Sequence, residues 1–178
     1  FDFRSPHVGD PDAPAIKRYH DMQFQVDCLL THSMETLKTN LPKRKREAKE
    51  IPPGVDMTAI QEAAAGAKLS APRNGLKRLV YVGSLAKTRK IDEMLIMFAE
   101  AAKPTKQLRL DIFGQGNDEQ DLKDLASQLG CKEKVNFRGR LDQSELWARL
   151  PEYDAGLAYV PNELFGTAPS LKSVEYAA

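Results

Sequence analysis

A glycine at the end of an apolar run, followed by clustered cations, is the chemistry of an anion site. Residues 81–93, "YVGSLAKTRKIDE", carry that combination. Gly83 and Ser84 end the apolar stretch, and Lys87, Arg89 and Lys90 follow just before an acidic, helix-like segment. A strand–glycine–helix junction offers backbone amides and a positive helix end to a phosphate, and Arg89 can grip it bidentately. The same residues also read as a solvated basic turn. A second stretch, "FGQGNDEQ" (113–120), holds Gly114 and Gly116 in a tight turn where backbone must approach a ligand. It lacks the third glycine and the partner acid of a dinucleotide fingerprint, so it is a weak NAD motif.

A third stretch, "FGTAPSLKSVEYAA" (165–178), runs from Gly166 through Pro169 and Ser170 into a helix bearing Lys172 and Glu175. Three residues apart, these two can pair on one helical face. Alternatively Lys172 and the helix start meet phosphate while Glu175 accepts hydrogen bonds from vicinal ribose hydroxyls. A carboxylate suits that task, because each oxygen can accept from one hydroxyl. Other charged or aromatic features read as ordinary. "PKRKRE" (42–47) is a solvated basic loop without interleaved aromatics, and Trp147 packs at helical spacing with Leu146 and Leu150. His7, His20 and His32 have no partners at metal-ligand spacing, and Cys28 and Cys131 match no metal pattern and read as two free thiols.

The elements that must position these residues show clearly from residue 74 onward. "LKRLVYVG" (76–83), "LRLDIFG" (108–114), "KVNFRG" (134–139) and "DAGLAYV" (154–160) read as strands. Helices alternate with them at 91–103, 117–130, 142–150 and 170–178. The first carries Ile91, Met94, Leu95, Phe98 and Ala102 on one face and stops at Pro104. The second opens on Asn117 as expected N-cap and stops at Gly130; Asp142 is expected to cap the third. This alternation predicts an α/β fold with a doubly wound, mostly parallel sheet. Ligands of such sheets bind beyond the carboxyl ends of the strands, and Gly83, Gly114, Gly116 and Gly139 all fall there. Earlier, 26–33 reads as a strand, Ser33 as a helix N-cap and "IPPGVD" (51–56) as a rigid turn.

Bulk composition narrows the function classes. The chain has 178 residues, 42% hydrophobic and 29% charged, with a net charge of +1. Near-neutral charge argues against a nucleic-acid binder. No apolar run reaches the roughly 18 residues of a membrane span, and residues 1–15 lack the apolar core of a secretory leader. The chain starts without methionine and stops inside a helical pattern, so it reads as truncated at both ends.

"IPPGVD", "YVGSL…RKIDEML", "LDIFGQG", "VNFRGRL" and "LKSVEYAA", in this order, resemble the nucleotide-sugar-binding half of GT-B glycosyltransferases, and more narrowly glycosyltransferase family four. The resemblance implies a Rossmann-like donor domain at 74–178, a linker at 51–73 and the tail of an acceptor-binding domain at 1–50. It implies retaining, metal-independent transfer from a UDP-, GDP- or ADP-sugar, with no cofactor. Polysaccharide or glycolipid synthesis in the cytoplasm is the implied setting, with a membrane-associated acceptor and a place at the inner membrane face. In the family, an arginine after the strand-end glycine and a lysine five residues later hold the diphosphate. Here those places fall on Ser84 and Arg89, beside Gly83, with Lys172 adding charge. Gly114, Gly116, Arg138 and Gly139 match segments around the nucleotide, and Glu175 matches the ribose-binding glutamate. The earlier family glutamate falls on Thr167; Glu163, Phe165 and Gly166 complete the expected sugar contacts. The catalytic residues would lie outside this chain.

A non-catalytic Rossmann-like module binding a nucleotide or partner is the alternative. An NAD-dependent enzyme and a degenerate homologue, the latter suggested by Ser84 and Thr167, are further ones. If Arg89 grips a diphosphate, Arg89→Ala weakens UDP or GDP binding by roughly 1.5–3 kcal/mol with little loss of stability. Titration of both nucleotides into parent and variant checks this, and equal affinity returns the basic cluster to a solvated loop.

Overall fold

A computed structural model of the chain describes residues 2–3, 18, 21–41, 44–65, 75–161 and 170–178. The chain divides into two compact units, residues 1–54 with 160–171 and residues 55–159 with 172–178. In the first, β1 (Asp2–Phe3), β2 (Leu29–Thr31) and β3 (Ala48–Glu50) form a parallel sheet in the order β1-β2-β3. Helix α1 (Met34–Asn40) is capped as expected: Ser33 Oγ accepts from the Thr36 amide at 3.3 Å. Leu29, Leu37 and Leu41 make its core. The expected strand at 26–33 shrinks to three residues, and β1 and β3 carry no sequence signal for strands. "AKE" of β3 is half-exposed and charged, so only pairing with β2 makes it a strand.

The second unit is built on β4 (Lys77–Val82), β5 (Leu108–Phe113), β6 (Val135–Gly139) and β7 (Ala155–Leu157), all parallel, in the order β6-β5-β4-β7. The chain steps outward from β4 to β6 and then returns to the other side of β4. That reversal creates a crevice at the strands' carboxyl ends. Helices α3 (Ile91–Ala102) and α4 (Glu119–Gln128) cover one face, where Leu95, Phe98, Leu110, Ile112, Leu122 and Val135 are buried together. On the other face Val80, Phe113 and Leu146 cluster with Tyr153 and Tyr176. These come from β4, β5, α5 (Gln143–Arg149), the turn after it and α6 (Leu171–Ala177). Helix α2 (Met57–Ala65) packs against α5. Covered on both sides, β5 is buried from Leu110 to Phe113, the burial pattern of a central parallel strand.

Helix ends follow from local chemistry. Every apolar residue predicted on the α3 face is buried. Helix α4 begins after Asp118 rather than Asn117, because the Asp118 amide donates to the Leu85 carbonyl at 3.2 Å and holds that residue in the loop. Gly130, at φ 69°, ends the helix as expected. Lys134 Nζ donates to the carbonyls of Ala102 and Thr105, placing a cation on the negative end of α3.

Two constraints hold the strand ends in place. The ladder continues beyond the strands: Gly83 N donates to Phe113 O (3.0 Å), Leu85 N to Gln115 O (3.1 Å) and Gly114 N to Gly139 O (2.9 Å). This backbone closeness demands glycine. A Cβ on Gly114, which has φ 154°, would lie 1.8 Å from the Gly83 oxygen, and one on Gly116 would lie 2.0 Å from the Leu85 oxygen. The second constraint is Asp111, 3% exposed in mid-sheet. It accepts from Asn136 Nδ2 (2.7 Å), Tyr153 Oη (2.8 Å) and Arg78 (3.2 Å), with Arg138 Nε at 3.3 Å. Burial pushes its carboxyl up, but the bonds from Asn136 and Tyr153 and the charges of Arg138 and Arg78 outweigh that and hold it below the usual range.

Gly114→Ala therefore lowers the unfolding free energy by about 3 kcal/mol in a urea melt, since carbonyl and side chain cannot share one space. Gly54→Ala, with nothing within 4 Å of the new Cβ, shifts it by less than about 0.5 kcal/mol. Because its folded value is depressed, Asp111 contributes stability above its unfolded value of about 3.9, and that is lost as pH falls through the folded value. Asp111→Asn thus flattens the acid limb of stability against pH. Asp111→Ala costs about 3 kcal/mol near neutrality by removing the acceptor of the Asn136 amide and the Tyr153 hydroxyl and leaving Arg78 with Glu152. An acid limb unchanged in Asp111→Asn would contradict this.

Candidate functional site

The zipped loops form part of a cavity of about 480 Å³ at the carboxyl ends of β4 and β5. Gly83, Ser84, Gly114, Arg140, Gln143 and Lys172 are among the residues that line it. The local sequence explains the placement. Leu85 is 1% exposed and plugs the core beneath α3, so its neighbour Ser84 is left on the surface at the cavity. The Gly114–Gly116 turn brings main chain, not side chain, to the same place. Gly139 (φ 71°) turns the chain out of β6 and delivers Arg140.

Helix α6 contributes Lys172 from its first turn and Glu175 one turn later. Glu175 is buried, 3% exposed, yet charged, so it must find donors. Lys172 Nζ bonds to its Oε2, the helical pair considered from sequence. Its Oε1 accepts from Gln143 Nε2 at 3.3 Å, across 32 residues of chain. Gln143 stands at the start of α5, where Glu145 accepts from the Asp142 amide at 3.4 Å in a capping box. Two of the three members, Gln143 and Lys172, line the cavity, and Glu175 sits behind them.

Of the residues singled out from sequence, Gly83, Ser84, Gly114 and Lys172 share this cavity. Gly116 packs against the Leu85 carbonyl beside it, and Gly139 bonds to Gly114 through its carbonyl. Arg138 does not line the cavity: its guanidinium lies 3.3 Å from Asp111 in the sheet network. Strand alternation explains this, since Val135 and Phe137 face the α3–α4 core and Asn136 and Arg138 face the opposite side. Arg89 is outside the lining as well; its charge opposes the rise of the Tyr81 phenol, which burial pushes up to about 12. Lys87 and Lys90 line a separate hollow of about 410 Å³ between the starts of α3 and α4, with Asp92, Glu93, Asp118 and Asp121. Lys90 is left-handed (φ 47°, ψ 45°) at the head of α3 and pairs with Glu93 at 3.3 Å. The three cations of the opening motif therefore do not converge on one anion. Glu163, Phe165, Gly166 and Thr167 lie outside the described residues.

Sequence reasoning missed Arg140, Gln143 and Gln115. Arg140 had a signal: it follows a strand-end glycine just as Ser84 follows Gly83. Gln143 had none beyond its place after a helix cap. Among the described residues no cluster of three or more metal-ligating side chains is present. Cys28 and Cys131 are thiols rather than a disulfide, and burial pushes the Cys131 thiol up.

Known proteins share the fold. The profile of the family Glycosyl transferases group 1 matches residues 68–170, more than half of the chain. A trehalose-6-phosphate synthase structure superposes with a TM-score of 0.74 at 15% identity, over 98% of this chain and 49% of that one. A structure described as trehalose-6-phosphate from E. coli bound with UDP-2-fluoro glucose gives 0.67 at 14%, over 98% and 49%. A mutant of S. aureus TarM in complex with fondaparinux, alpha-GlcNAc-glycerol and UDP gives 0.60 at 11%, over 96% and 40%. The chain spans less than half the length of each of these proteins. A search of curated proteins finds no match. The chain belongs to the glycosyl transferases group 1 family, and its parallel sheet is a Rossmann-like half of the GT-B glycosyltransferase fold.

Proposed function

We propose that this chain binds the nucleotide-diphosphate sugar for a retaining, metal-independent glycosyltransferase of the family-four type. The observation that carries the reading is one cavity, over glycine-zipped strand ends, lined by Ser84, Arg140 and Lys172 with the Glu175 carboxylate just behind. A diphosphate leaving group develops negative charge as the sugar departs, and fixed cations with main-chain amides stabilise it. Lys172 and Arg140 supply the charge, Ser84 a hydroxyl donor, and Arg89 further charge from the side of the β4 turn. Main chain around Gly114, Gly116 and Gly139 and the Leu141 side chain shape the place for the base. Glu175 takes the ribose hydroxyls. Glu163, Phe165, Gly166 and Thr167 are assigned to the sugar.

The structures solved with UDP or UDP-2-fluoro glucose favour a uridine donor for those proteins, and by extension for this one. Residues 1–50 are assigned to an acceptor-binding domain, 51–73 to a linker and 74–178 to the donor domain. The reading extends to polysaccharide or glycolipid assembly in the cytoplasm, with a membrane-associated acceptor met at the inner face. Among the described residues no helix is long and apolar enough to cross a membrane. A second reading, nucleotide binding without transfer, is favoured by one observation: Ser84 stands where the family places an arginine.

Calorimetric titration of UDP, GDP and ADP, then their sugars, tests the proposal. One diphosphate binds selectively, and Glu175→Gln weakens it by about 1.5–3 kcal/mol without weakening pyrophosphate binding. Equal losses for both ligands would remove Glu175 from ribose recognition. Absence of binding by the folded protein would remove the donor site altogether.

A further inference from the structure

The closed contacts of Glu175 raise a problem for a ribose-binding carboxylate. Its side chain is 1% exposed and both oxygens are occupied, Oε2 by Lys172 and Oε1 by Gln143. Each oxygen has a second lone pair, but the carboxylate is buried behind Lys172 and Gln143, which line the cavity, so a ribose hydroxyl reaches it only if one of them moves aside. Lys172 is the member able to leave: its side chain is 30% exposed, it lines the cavity, and its ammonium sits on a flexible stem. While it stays on Glu175, however, its charge is compensated and unavailable to a phosphate.

We propose that Lys172 is exchanged between Glu175 and the donor's diphosphate, so that ribose and diphosphate recognition are obligatorily coupled; this rests on the donor-site reading above. On binding, a ribose hydroxyl donates to Oε2 in place of the ammonium, and the ammonium moves to a diphosphate oxygen. Gln143 remains on Oε1 and holds the carboxylate in orientation, acting as a positioning residue. The number of donors on the carboxylate is conserved, and neither charge is left without a partner. Either half of the ligand alone meets a penalty. A nucleoside displaces Lys172 without offering it an anion. Pyrophosphate draws Lys172 away and leaves buried Glu175 with Gln143 as its remaining partner of the two. Only the complete nucleoside diphosphate satisfies both ends, and the exchange selects it over free phosphate or free nucleoside.

The chain is titrated with pyrophosphate in the absence and presence of saturating uridine, guanosine or adenosine, alongside UDP, GDP and ADP. Lys172→Met and Lys172→Arg are titrated in parallel, and their circular dichroism is compared with the parent. The nucleoside of the diphosphate that binds is expected to raise pyrophosphate affinity at least about 5-fold, and pyrophosphate to raise nucleoside affinity by the same factor. In Lys172→Met the factor falls to about one, and Lys172→Arg retains it. Diphosphate binding without enhancement in the parent overturns the exchange and leaves the donor site standing. Enhancement that persists in Lys172→Met also overturns it. If none of the three diphosphates binds to the folded chain, the donor-site reading and the exchange fall together.

Discussion

The carbonyl oxygen of Gly83 occupies the space that a side chain at position 114 would need, and the Leu85 carbonyl does the same at position 116. The cavity of the second unit depends on that closeness. It lets the hydrogen-bond ladder run past the strands into three loops, linking residues 83–85, 113–115 and 139. Those loops would otherwise be separate and exposed. Joined, they make a floor of main chain at the carboxyl edge of the sheet, with Leu85 anchoring it in the core. The cavity above is lined by side chains from elements far apart in sequence, Ser84, Arg140, Gln143 and Lys172.

Beneath that floor the sheet carries a buried carboxylate where an apolar residue would be the simpler choice. Asp111 ties β5 to β4 through Arg78, to β6 through Asn136 and Arg138, and to the turn after α5 through Tyr153. Arg78 in turn stacks on the Tyr153 ring at 4.7 Å and pairs with Glu152 at 3.1 Å. Directional contacts of this kind define strand register and helix placement more sharply than apolar packing, which tolerates sliding. Glu175 repeats the device nearer the surface, but its partners border the cavity. A network closed within the sheet and one that borders a cavity thus differ in where their donors face, not in their chemistry.

Much of the second unit was legible in the residues. Apolar runs ended by glycine gave β4, β5 and β6 nearly to their boundaries, and the α3 stripe gave every buried position on that helix except Ala99. The placement of Gly83, Ser84, Gly114 and Lys172 at one cavity follows from a rule about parallel sheets and needs no knowledge of contacts. Arg138 and Arg140 show where such rules stop. Both flank Gly139, and strand alternation sends the first into the sheet network while the turn sends the second to the cavity. Strands β1 and β3 were invisible because their residues acquire strand character only from β2.

The sequence by itself determined the alternation of strands and helices, the mostly parallel character of the sheet in the second unit and the edge at which its glycines collect. These are local properties: apolar period, helix stops and backbone freedom are written within a dozen residues of where they act. Only tertiary structure decided which charges meet. Clustered in sequence, Lys87, Arg89 and Lys90 do not share one cavity, whereas Gln143 and Glu175, 32 residues apart, share a hydrogen bond. The physical reason is that a side chain's electrostatic partner is set by distance in space, and distance in space is set by how the sheet closes its layers.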